Sequence, residues 1–286
     1  MGISDFCHLH IHDKYSVLDG MGSCSDYIEK AKELRMTALS QTNHGNVFGS
    51  FKFWKACRAA KIKPILGEEF YIVGDRFKKE DRTMWHLILL AKNIVGWKNI
   101  CKLSSLASIE GKYYKPRADV ELIKKYSEGL ICLSACMAGE VGQSILSKDE
   151  LWLNKTIDWY ENVFGEDYYL EIQPHQDEDQ KKVNRKLLSL GKRLVATNDA
   201  HYVNKEDEKY HKYLLKIQTG GRKDSTFEFG IKNLHLKSRF EIMNELLNYH
   251  EFTEKQANDA CNVTLEIESK IEQIEFDFGY KIPVYQ

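Results

Sequence analysis

The chain has 286 residues, of which 43% are hydrophobic and 29% charged, so it can build one large domain or two small ones around a sizeable core. Its 41 basic and 42 acidic side chains nearly cancel, which argues against a dedicated basic surface for nucleic acid but not against a local patch. No run approaches the roughly 20 apolar residues of a membrane span, no signal peptide is evident, and the cysteines form no CxxC pair. We therefore expect a cytoplasmic protein with free thiols and no membrane partner.

Seven apolar, β-branched or aromatic runs predict strands. They cover residues 6–12, 36–42, 63–73, 84–91, 129–135, 167–173 and 193–199. Helical patterns lie between most of them, over residues 23–34, 47–60, 96–109, 149–164 and 177–190. Such alternation is typical of an α/β protein with a mostly parallel sheet, and seven runs favour a barrel over an open sheet. The charged stretch 74–83 predicts an exposed loop.

The character of the chain changes near residue 205. Three helical patterns follow in succession, over 205–218, 238–249 and 253–269, with a glycine-containing break at 219–221 and no clear strand. We therefore predict two parts: a barrel with a metal site over residues 1–204, and a helical extension packed on it over residues 205–286.

Nine potential metal ligands are scattered along the chain, most of them at or beside an apolar run. They are His10, His12, Asp19, His44, Glu69, His86, Cys136, Asp199 and His201. The C-terminal ends of barrel strands converge, so side chains far apart in sequence can meet there. The pairs His10/His12 and Asp199/His201 are spaced i, i+2, which points both side chains to one side of an extended backbone. His86 precedes its apolar run, and spacing alone does not select it.

Imidazole, carboxylate and a single thiolate together suit zinc, manganese or iron, and nine ligands exceed what one ion can use. The pattern therefore predicts a multinuclear metal site. Such sites suit phosphoester chemistry, because the ions neutralise the phosphate and lower the pKa of a water molecule. Glu69 could bridge two ions, although its neighbour Glu68 could equally be the site carboxylate. Taken singly, each ligand also has a structural interpretation, such as a hydrogen-bonded core histidine or, for Cys136, a buried thiol.

Several other side chains are weaker candidates. Arg117, in YYKPR, and His175, after the strand at 167–173, could contact a substrate phosphate, although surface ion pairs are slightly favoured. His8 extends the alternation HLHIH but lies deeper in its run, where a core role is favoured. Four tyrosines could stack on bases, with core packing as the commoner role. These are Tyr113, Tyr114, Tyr168 and Tyr169.

Many segments, in order, resemble the polymerase and histidinol phosphatase (PHP) domain, in the form found at the N-terminus of C-family DNA polymerases, the bacterial DNA polymerase III alpha subunits. They are HLHIHDKYSVLDG, TNHGN, IKPILGEEFYI, HLILLAKN, YYKPR, SEGLICLSACMAGEV, YYLEIQ and VATNDAHYVNKED. The resemblance continues through NLHLKSRFEI, CNVTLEI and YKIPVY, which a stand-alone PHP phosphatase would not be expected to carry. It implies a distorted seven-stranded (β/α)7 barrel with a trinuclear metal site.

The resemblance also implies how the ligands divide among three divalent ions, zinc or manganese with iron as a further option. One ion would be held by His10, His12, Glu69 and Asp199, a second by Glu69, His86 and Cys136, and a third by Asp19, His44 and His201. The nucleophile would be a metal-activated water held by His10, His12, Asp19, Glu69 and Asp199. Asn43 stands where related sequences usually carry aspartate; it would keep a hydrogen bond to a ligand but remove a charge, which predicts weaker metal affinity.

Three functions follow as hypotheses. The leading one is a metal-dependent phosphoesterase, a proofreading 3′–5′ exonuclease on DNA 3′ ends that works beside the remaining polymerase domains or subunits. The second is a metal-stabilised scaffold without catalysis, which docks the polymerase or a proofreading exonuclease. The third is a small-molecule phosphatase similar to histidinol phosphatase. The chain is expected to stop where the polymerase palm would begin, and so not to polymerise DNA by itself.

Overall fold

A computed structural model describes residues 5–80, 82–220 and 232–279 of the chain. The segment YKIPVY and Gly221 of the predicted glycine break lie outside the described residues. Within those ranges, no helix combines the length and the apolar character that crossing a bilayer requires.

Seven strands form one curled, mixed sheet. They are β1 (Ala38–Gln41), β2 (Lys63–Val73), β3 (Trp85–Ala91), β4 (Arg117–Asp119), β5 (Leu130–Leu133), β6 (Tyr168–Ile172) and β7 (Leu194–Ala196). The order across the sheet is β1-β2-β3-β5-β6-β7, and β4 pairs with the last residues of β2. β3 runs antiparallel to β2 and β5, whereas the other described pairings are parallel. The predicted α/β class with a mostly parallel sheet is confirmed.

The predicted first strand, residues 6–12, is not a regular strand. On one side its backbone meets the chain after β1, where the Thr42 N–H donates to the Ile11 carbonyl over 3.0 Å. On the other side, the His12 N–H donates to the Ala200 carbonyl over 2.8 Å, beyond the end of β7. The segment therefore lies between the two edges of the curled sheet and closes it into a distorted barrel. The prediction of seven strands is right in number but wrong in membership, because β4 was missed and residues 6–12 make only an isolated bridge.

Ten α-helices are found among the described residues. They are α1 (Cys24–Glu33), α2 (Ser50–Ala60), α3 (Ile94–Ile109), α4 (Val120–Lys125), α5 (Glu140–Leu146), α6 (Glu150–Phe164), α7 (Glu178–Ser189), α8 (Glu208–Gln218), α9 (Arg239–Asn248) and α10 (Glu254–Lys270). Their ends follow local chemistry: Ser23 and Asp26 form a capping box at α1, and the Asp149 side chain accepts from the Trp152 N–H at α6. The eight predicted helices are confirmed to within a few residues, and the short α4 and α5 were not predicted.

The strands place side chains in two cores. The inner core fills the barrel, and the outer core lies between the sheet and the helices. Ile267 and Ile271, from α10 and its end, join the inner core. At the N-terminal ends of the strands, Lys63 Nζ donates to the Glu268 carbonyl over 2.6 Å, and the Cys7 N–H donates to Thr264 Oγ1 over 3.2 Å. The extension is thus packed on the barrel, while the boundary at residue 204 stays a prediction.

Glu68 and Glu69 are adjacent on β2, so they point to opposite faces of the sheet. Glu69 points to the inside of the barrel, where it contacts His10 and His86. Glu68 is fully buried on the outer face, beside Ser104 of α3. Burial raises the pKa of Glu68 well above its usual range, and the contact with Ser104 offsets only part of that effect. The choice between the two carboxylates is therefore decided by the pleat of β2, which gives only Glu69 access to the candidate ligands.

Replacing Glu68 with glutamine is expected to change how stability depends on pH. As the pH rises above the ordinary glutamate pKa, the unfolded chain ionises while the folded protein keeps its proton, so stability falls until the pH passes the raised folded pKa. Glutamine cannot ionise. Glu68→Gln should therefore have a higher free energy of unfolding than the wild type at about pH 8, by about 1.4 kcal/mol for each unit of pKa difference, and the gap should close toward about pH 4.

Urea denaturation over this pH range measures the difference. The control is Glu29→Gln, which changes an exposed glutamate of α1 and should leave the pH profile unaltered. Parallel profiles for Glu68→Gln and the wild type would show that Glu68 is not held neutral by the fold.

Candidate metal centre

All nine predicted ligands meet at one end of the barrel, around the carboxylate of Glu69. His10 Nε2 lies 3.3 Å from Glu69 Oε1, and His86 Nδ1 lies 3.0 Å from the same oxygen. His44 Nδ1 contacts the other oxygen, Glu69 Oε2. A single buried carboxylate is therefore in contact with imidazoles from the N-terminal segment, the loop after β1, and β3.

His10 and His12 meet Asp199 beside Glu69. The two Nε2 atoms lie 3.0 Å apart, and Asp199 Oδ1 lies 3.1 Å from that of His10 and 3.2 Å from that of His12. His12 Nε2 is also 3.6 Å from Glu69 Oε2. These two imidazoles and two carboxylates thus converge on one small volume.

The remaining ligands lie on two further sides of the cluster. Cys136 Sγ is 3.6 Å from His86 Nδ1. Asp19 Oδ2 is 2.9 Å from His44 Nε2 and 3.8 Å from His201 Nε2. Each side therefore brings together residues that are distant in the sequence.

His86 reaches the cluster because β3 runs against its neighbours. In the parallel strands, the C-terminal ends lie at the ligand end of the barrel, so an antiparallel strand has its N-terminal end there. His86 is the second residue of β3 and pairs with Tyr71, near the C-terminal end of β2. Its position before its apolar run, which spacing did not explain, follows from this reversal.

Local backbone geometry turns three of the ligands toward the cluster. Asp199 itself has a φ of 48°, and the residues before Asp19 and Cys136, Leu18 and Ala135, have φ values of 65° and 63°. Residues other than glycine adopt this left-handed region at a cost of about 1–3 kcal/mol, and such strain is concentrated at functional sites. Packing and hydrogen bonds elsewhere in the fold must therefore hold these ligand-bearing loops.

Three of the histidines are oriented by a hydrogen bond from their Nδ1 atom. His10 Nδ1 donates to Glu171 Oε1 over 2.7 Å, His12 Nδ1 to Ser16 Oγ over 2.9 Å, and His201 Nδ1 to the Asp199 carbonyl over 2.7 Å. Each bond leaves Nε2 facing the cluster with its lone pair, the arrangement typical of histidine ligands to metals. Sequence reasoning missed Glu171 and Ser16. Glu171 could have been found, because a carboxylate within a predicted apolar strand indicates a buried polar partner.

The Asn43 side chain acts on the cluster through Ser16, and the prediction that it hydrogen-bonds a ligand directly is wrong. Its backbone carbonyl contacts a ligand instead, by accepting from the Glu69 N–H over 3.1 Å. Asn43 Oδ1 accepts from Ser16 Oγ over 2.8 Å and from the Asp13 N–H over 3.0 Å. Its Nδ2 donates to Asp13 Oδ1 over 2.8 Å. An aspartate here would lose that donor and place two carboxylates in contact, so asparagine matches the presence of Asp13. Weaker metal affinity stays a prediction.

The charged groups of the cluster control one another's protonation. Burial alone would lower the pKa of His44, but Glu69 and Asp19 raise it to about 10. Burial lowers the pKa of His12 to about 3. Burial would raise the pKa of Glu69, but the neighbouring imidazoles hold it well below its usual range. The carboxylates are therefore ionised, and some imidazoles carry the protons that a metal ion would displace.

The donor atoms fit a group of divalent cations. Both oxygens of Glu69, Oδ1 of Asp199 and Nδ1 of His44 are buried and lack a hydrogen-bond partner within the described part of the chain. Their close N···O contacts miss hydrogen-bond geometry, and buried lone pairs left in this way are costly without a cation. Five imidazoles, three carboxylates and one thiol supply the nitrogen, oxygen and sulfur donors that zinc, manganese and iron bind in proteins.

The two predicted substrate contacts are buried and engaged within the protein. Arg117 Nε donates to the Gly111 carbonyl over 2.8 Å, and Arg117 Nη2 donates to the Arg76 carbonyl over 3.0 Å. His175 Nε2 donates to the Asn198 carbonyl over 3.0 Å. The geometry gives neither side chain a place at a bound phosphate, because these donors hold loops together.

His8 has the core role that was favoured for it. It is fully buried, and its Nε2 donates to the Lys237 carbonyl over 2.7 Å. Burial lowers its pKa to about 4, so it is a neutral structural histidine at physiological pH.

Comparison with known proteins places this geometry in a family. A family model described as "PHP domain" matches residues 8–175. The DNA polymerase III subunit alpha of Borreliella burgdorferi is 41% identical to this chain, in an alignment of 295 positions that covers 99% of this chain and 25% of that protein. That of Aquifex aeolicus is 43% identical over 232 residues, covering 75% of this chain and 20% of that protein. The chain thus spans a quarter or less of the length of these relatives.

Two solved structures show a distant likeness. One is an amidohydrolase from Chromobacterium violaceum, with a TM-score of 0.44 and 14% identity over 68% of this chain and 87% of its own. The other is a two-domain protein from Bacteroides vulgatus containing a predicted PHP-like metal-dependent phosphoesterase, with a TM-score of 0.43 and 16% identity over 73% of this chain and 55% of its own. The family match itself covers more than half of the sequence, and the chain therefore belongs to the PHP domain family.

Proposed function

We propose that the nine-residue cluster binds three divalent metal ions and that the chain hydrolyses phosphodiester bonds at the 3′ end of DNA, as a 3′–5′ exonuclease. The observation that carries this proposal is the buried carboxylate of Glu69, in contact with imidazoles from three elements and lacking a hydrogen bond among the described residues. Such a carboxylate is suited to bridging cations.

The contacts bring members of each proposed set together and also join the sets, because His44 Nδ1 contacts Glu69 Oε2. The proposed sets are His10, His12, Glu69 and Asp199; Glu69, His86 and Cys136; and Asp19, His44 and His201. Donor atoms of neighbouring residues lie close together within each set. The separations are 3.1 and 3.2 Å in the first set, 3.0 and 3.6 Å in the second, and 2.9 and 3.8 Å in the third. Zinc or manganese is proposed, with iron as a further option, because the thiol and imidazoles favour zinc and the carboxylates accept the other two.

Exposure within the cluster defines the side from which a substrate would approach. The side chains of His10 and Glu69 are 0% and 1% exposed, whereas those of Asp19 and His86 are 22% and 21% exposed. Bound divalent ions would neutralise a phosphate and lower the pKa of a water nucleophile held at His10, His12, Asp19, Glu69 and Asp199. The scissile phosphate would therefore lie on the side of Asp19 and His86, with Glu69 beneath it.

DNA is proposed as the substrate because the relatives that align along the chain are DNA polymerase III alpha subunits. The near-zero net charge does not oppose this, since bound cations would supply the positive potential in the cleft. The proposed partners are the remaining domains or subunits of such a polymerase, and a separate proofreading exonuclease, in the cytoplasm.

Removing two ligands of the first set should abolish cleavage. The substrates are 3′-labelled single-stranded and mismatched primers with added Mn²⁺ or Zn²⁺. His10→Ala/Asp199→Ala should lower the rate by at least about 100-fold, because both side chains contact His12 and His10 also contacts Glu69, so the first proposed ion would lose two of its four ligands. The control is Asp259→Ala, whose side chain is 63% exposed on α10 and should cleave like the wild type.

Two outcomes would contradict the nuclease proposal. Wild-type cleavage no faster than that of the double variant, despite bound metal, would favour the scaffold. Turnover of histidinol phosphate without cleavage of DNA would favour the small-molecule phosphatase.

Metal binding should release protons and strengthen with pH. The raised pKa of His44, about 10, means that this imidazole carries a proton that a metal ion must displace. The apparent Zn²⁺ affinity should therefore rise by about tenfold per pH unit for each proton released, between about pH 6.5 and 8. Calorimetry in buffers of different ionisation enthalpy counts the protons, and His44→Gln should release fewer. Zero proton release with pH-independent affinity would contradict the proposed ligand set.

Glu171→Gln should weaken metal binding without removing a ligand. Glutamine can still accept from His10 Nδ1, but it lacks the charge that strengthens that imidazole as a donor. The expected loss in Zn²⁺ affinity is about 10- to 100-fold. Glu68→Gln is the matched control, because it changes an equally buried carboxyl group on the opposite face of the sheet. Equal affinities for the two variants would show that Glu171 does not act on the site.

A further inference from the structure

A small cleft lies beside the turn at residues 113–115. Its volume is about 200 Å³, and its lining is aromatic, apolar and basic, with no acidic side chain among the described residues that form it. The lining residues are Arg82, Met84, Tyr113, Tyr114 and Arg117. Pockets for drug-sized ligands have volumes of about 300–1,000 Å³, so this cleft is suited to one planar ring system.

The turn holds Tyr114 outward in a strained conformation. The Tyr113 N–H donates to the Lys115 carbonyl over 3.1 Å, and the Lys115 N–H donates to the Tyr113 carbonyl over 2.7 Å. Between them, Tyr114 has a φ of 59°, a region where glycine or asparagine is usual and a bulky residue is an outlier. Its side chain is 70% exposed. Core packing therefore does not account for a tyrosine here, and strain of this kind is concentrated at ligand clamps.

Cationic groups lie against the tyrosine rings. The Arg82 guanidinium is 5.2 Å from the centre of the Tyr114 ring, and that of Arg117 is 5.3 Å from the centre of the Tyr113 ring. The two rings themselves meet edge to face, 4.6 Å apart. An exposed aromatic ring beside a guanidinium group, as Tyr114 is beside Arg82, is suited to stacking on a base while the cation neutralises the adjacent phosphate.

The turn is joined to the open side of the metal centre. Lys115 Nζ lies 5.2 Å from the centre of the Tyr71 ring, and that ring lies 5.3 Å from the ring of His86 and 6.1 Å from that of His44. Behind the turn, Pro116 packs on Gly45, where an added Cβ would come within 2.7 Å of Pro116 Cγ. Lys115 and Tyr71 therefore connect the turn that carries Tyr114 to His86 and His44 of the cluster.

We propose that Tyr114, Arg82 and Lys115 form a platform that stacks on a base near the 3′ end of single-stranded DNA and directs the end to the Glu69 cluster. This inference rests on the proposed function and names how its substrate is held. An aromatic ring recognises the base, and the cationic groups recognise the phosphates on either side of it. The small volume of the cleft favours an unpaired base, because a base pair would not fit.

The test is direct binding to the 286-residue chain, with Mn²⁺ present. The probe is an oligothymidylate of about 12 nucleotides, with a 5′ fluorescein and cleavage-resistant phosphorothioate linkages at its 3′ end. Tyr114→Leu should raise the Kd by about 5- to 150-fold, the effect of losing one base stack, and Tyr114→Phe should bind like the wild type. Tyr213→Leu, which changes a 66%-exposed tyrosine on α8, is the matched control and should leave the Kd unchanged.

Abasic probes locate the base contact. Probes that lack one of the last few bases are compared, and removal of the stacked base should weaken binding to the wild type about as much as Tyr114→Leu does. The same removal should have no further effect on Tyr114→Leu. Arg82→Ala provides a second variant on an exposed segment; it should weaken binding and reduce its dependence on salt concentration.

The inference is overturned if Tyr114→Leu binds the intact probe with the wild-type Kd, or if Tyr213→Leu loses as much affinity as Tyr114→Leu does. It is also overturned if removing each base weakens binding to Tyr114→Leu as much as it weakens binding to the wild type. Cleavage is measured separately on an unmodified oligonucleotide. Binding through Tyr114 without cleavage would reject the exonuclease and keep the platform. Cleavage of the oligonucleotide together with binding that does not depend on Tyr114 would keep the exonuclease and reject the platform.

Discussion

The fold depends on keeping an ionised carboxylate, Glu69, buried inside the barrel, where its side chain is only 1% exposed. Burying a charge is expensive unless opposite charges or cations surround it. Here the compensation comes from His10, His44 and His86, which belong to three elements that are remote in sequence. Burial of Glu69 in its ionised form therefore requires these elements to surround it in the folded protein.

The antiparallel direction of β3 places a residue from the beginning of a strand, His86, at the ligand end of the barrel. A parallel neighbour of β2 would have its first residues at the opposite end of the barrel, whereas antiparallel β3 brings His86, its second residue, opposite Tyr71. Close approach of β3 is possible because Gly67 has no side chain; a Cβ there would lie 2.7 Å from the Leu89 carbonyl. The irregular N-terminal segment has an equivalent role at the other side, where it joins the edges of the sheet and carries His10 and His12 inward.

The cluster is supported by an outer layer of hydrogen bonds. Glu171 and Ser16 fix the rings of His10 and His12, and Asn43 fixes Ser16 while it also holds Asp13. Such bonds set which nitrogen of each imidazole faces the centre, a property that ligand identity alone leaves undecided. The same construction leaves one side of the centre open, toward the Tyr71 ring and the turn that follows α3.

The sequence by itself determined most of the secondary structure and the membership of the cluster. Hydrophobic periodicity located six of the strands and eight helices, since burial of one face requires that spacing. Residue type and position, together with the resemblance to a family, selected the nine side chains that the structure brings together. The position of His8 deeper in the apolar run predicted a core role for it and a ligand role for His10 and His12. Its hydrogen bond to the Lys237 carbonyl confirms the core role.

Only the tertiary structure decided the properties that depend on chain direction and on contacts between remote segments. Strand pairing is made by backbone groups that every residue shares, so the sequence pattern did not show that β3 is reversed or that residues 6–12 join two edges without forming a strand. The three-residue β4 is too short to give a periodic signal. Glu171 and Ser16 gained their roles, and Arg117 and His175 lost theirs, because side-chain hydrogen-bond partners are set by packing and not by the sequence pattern.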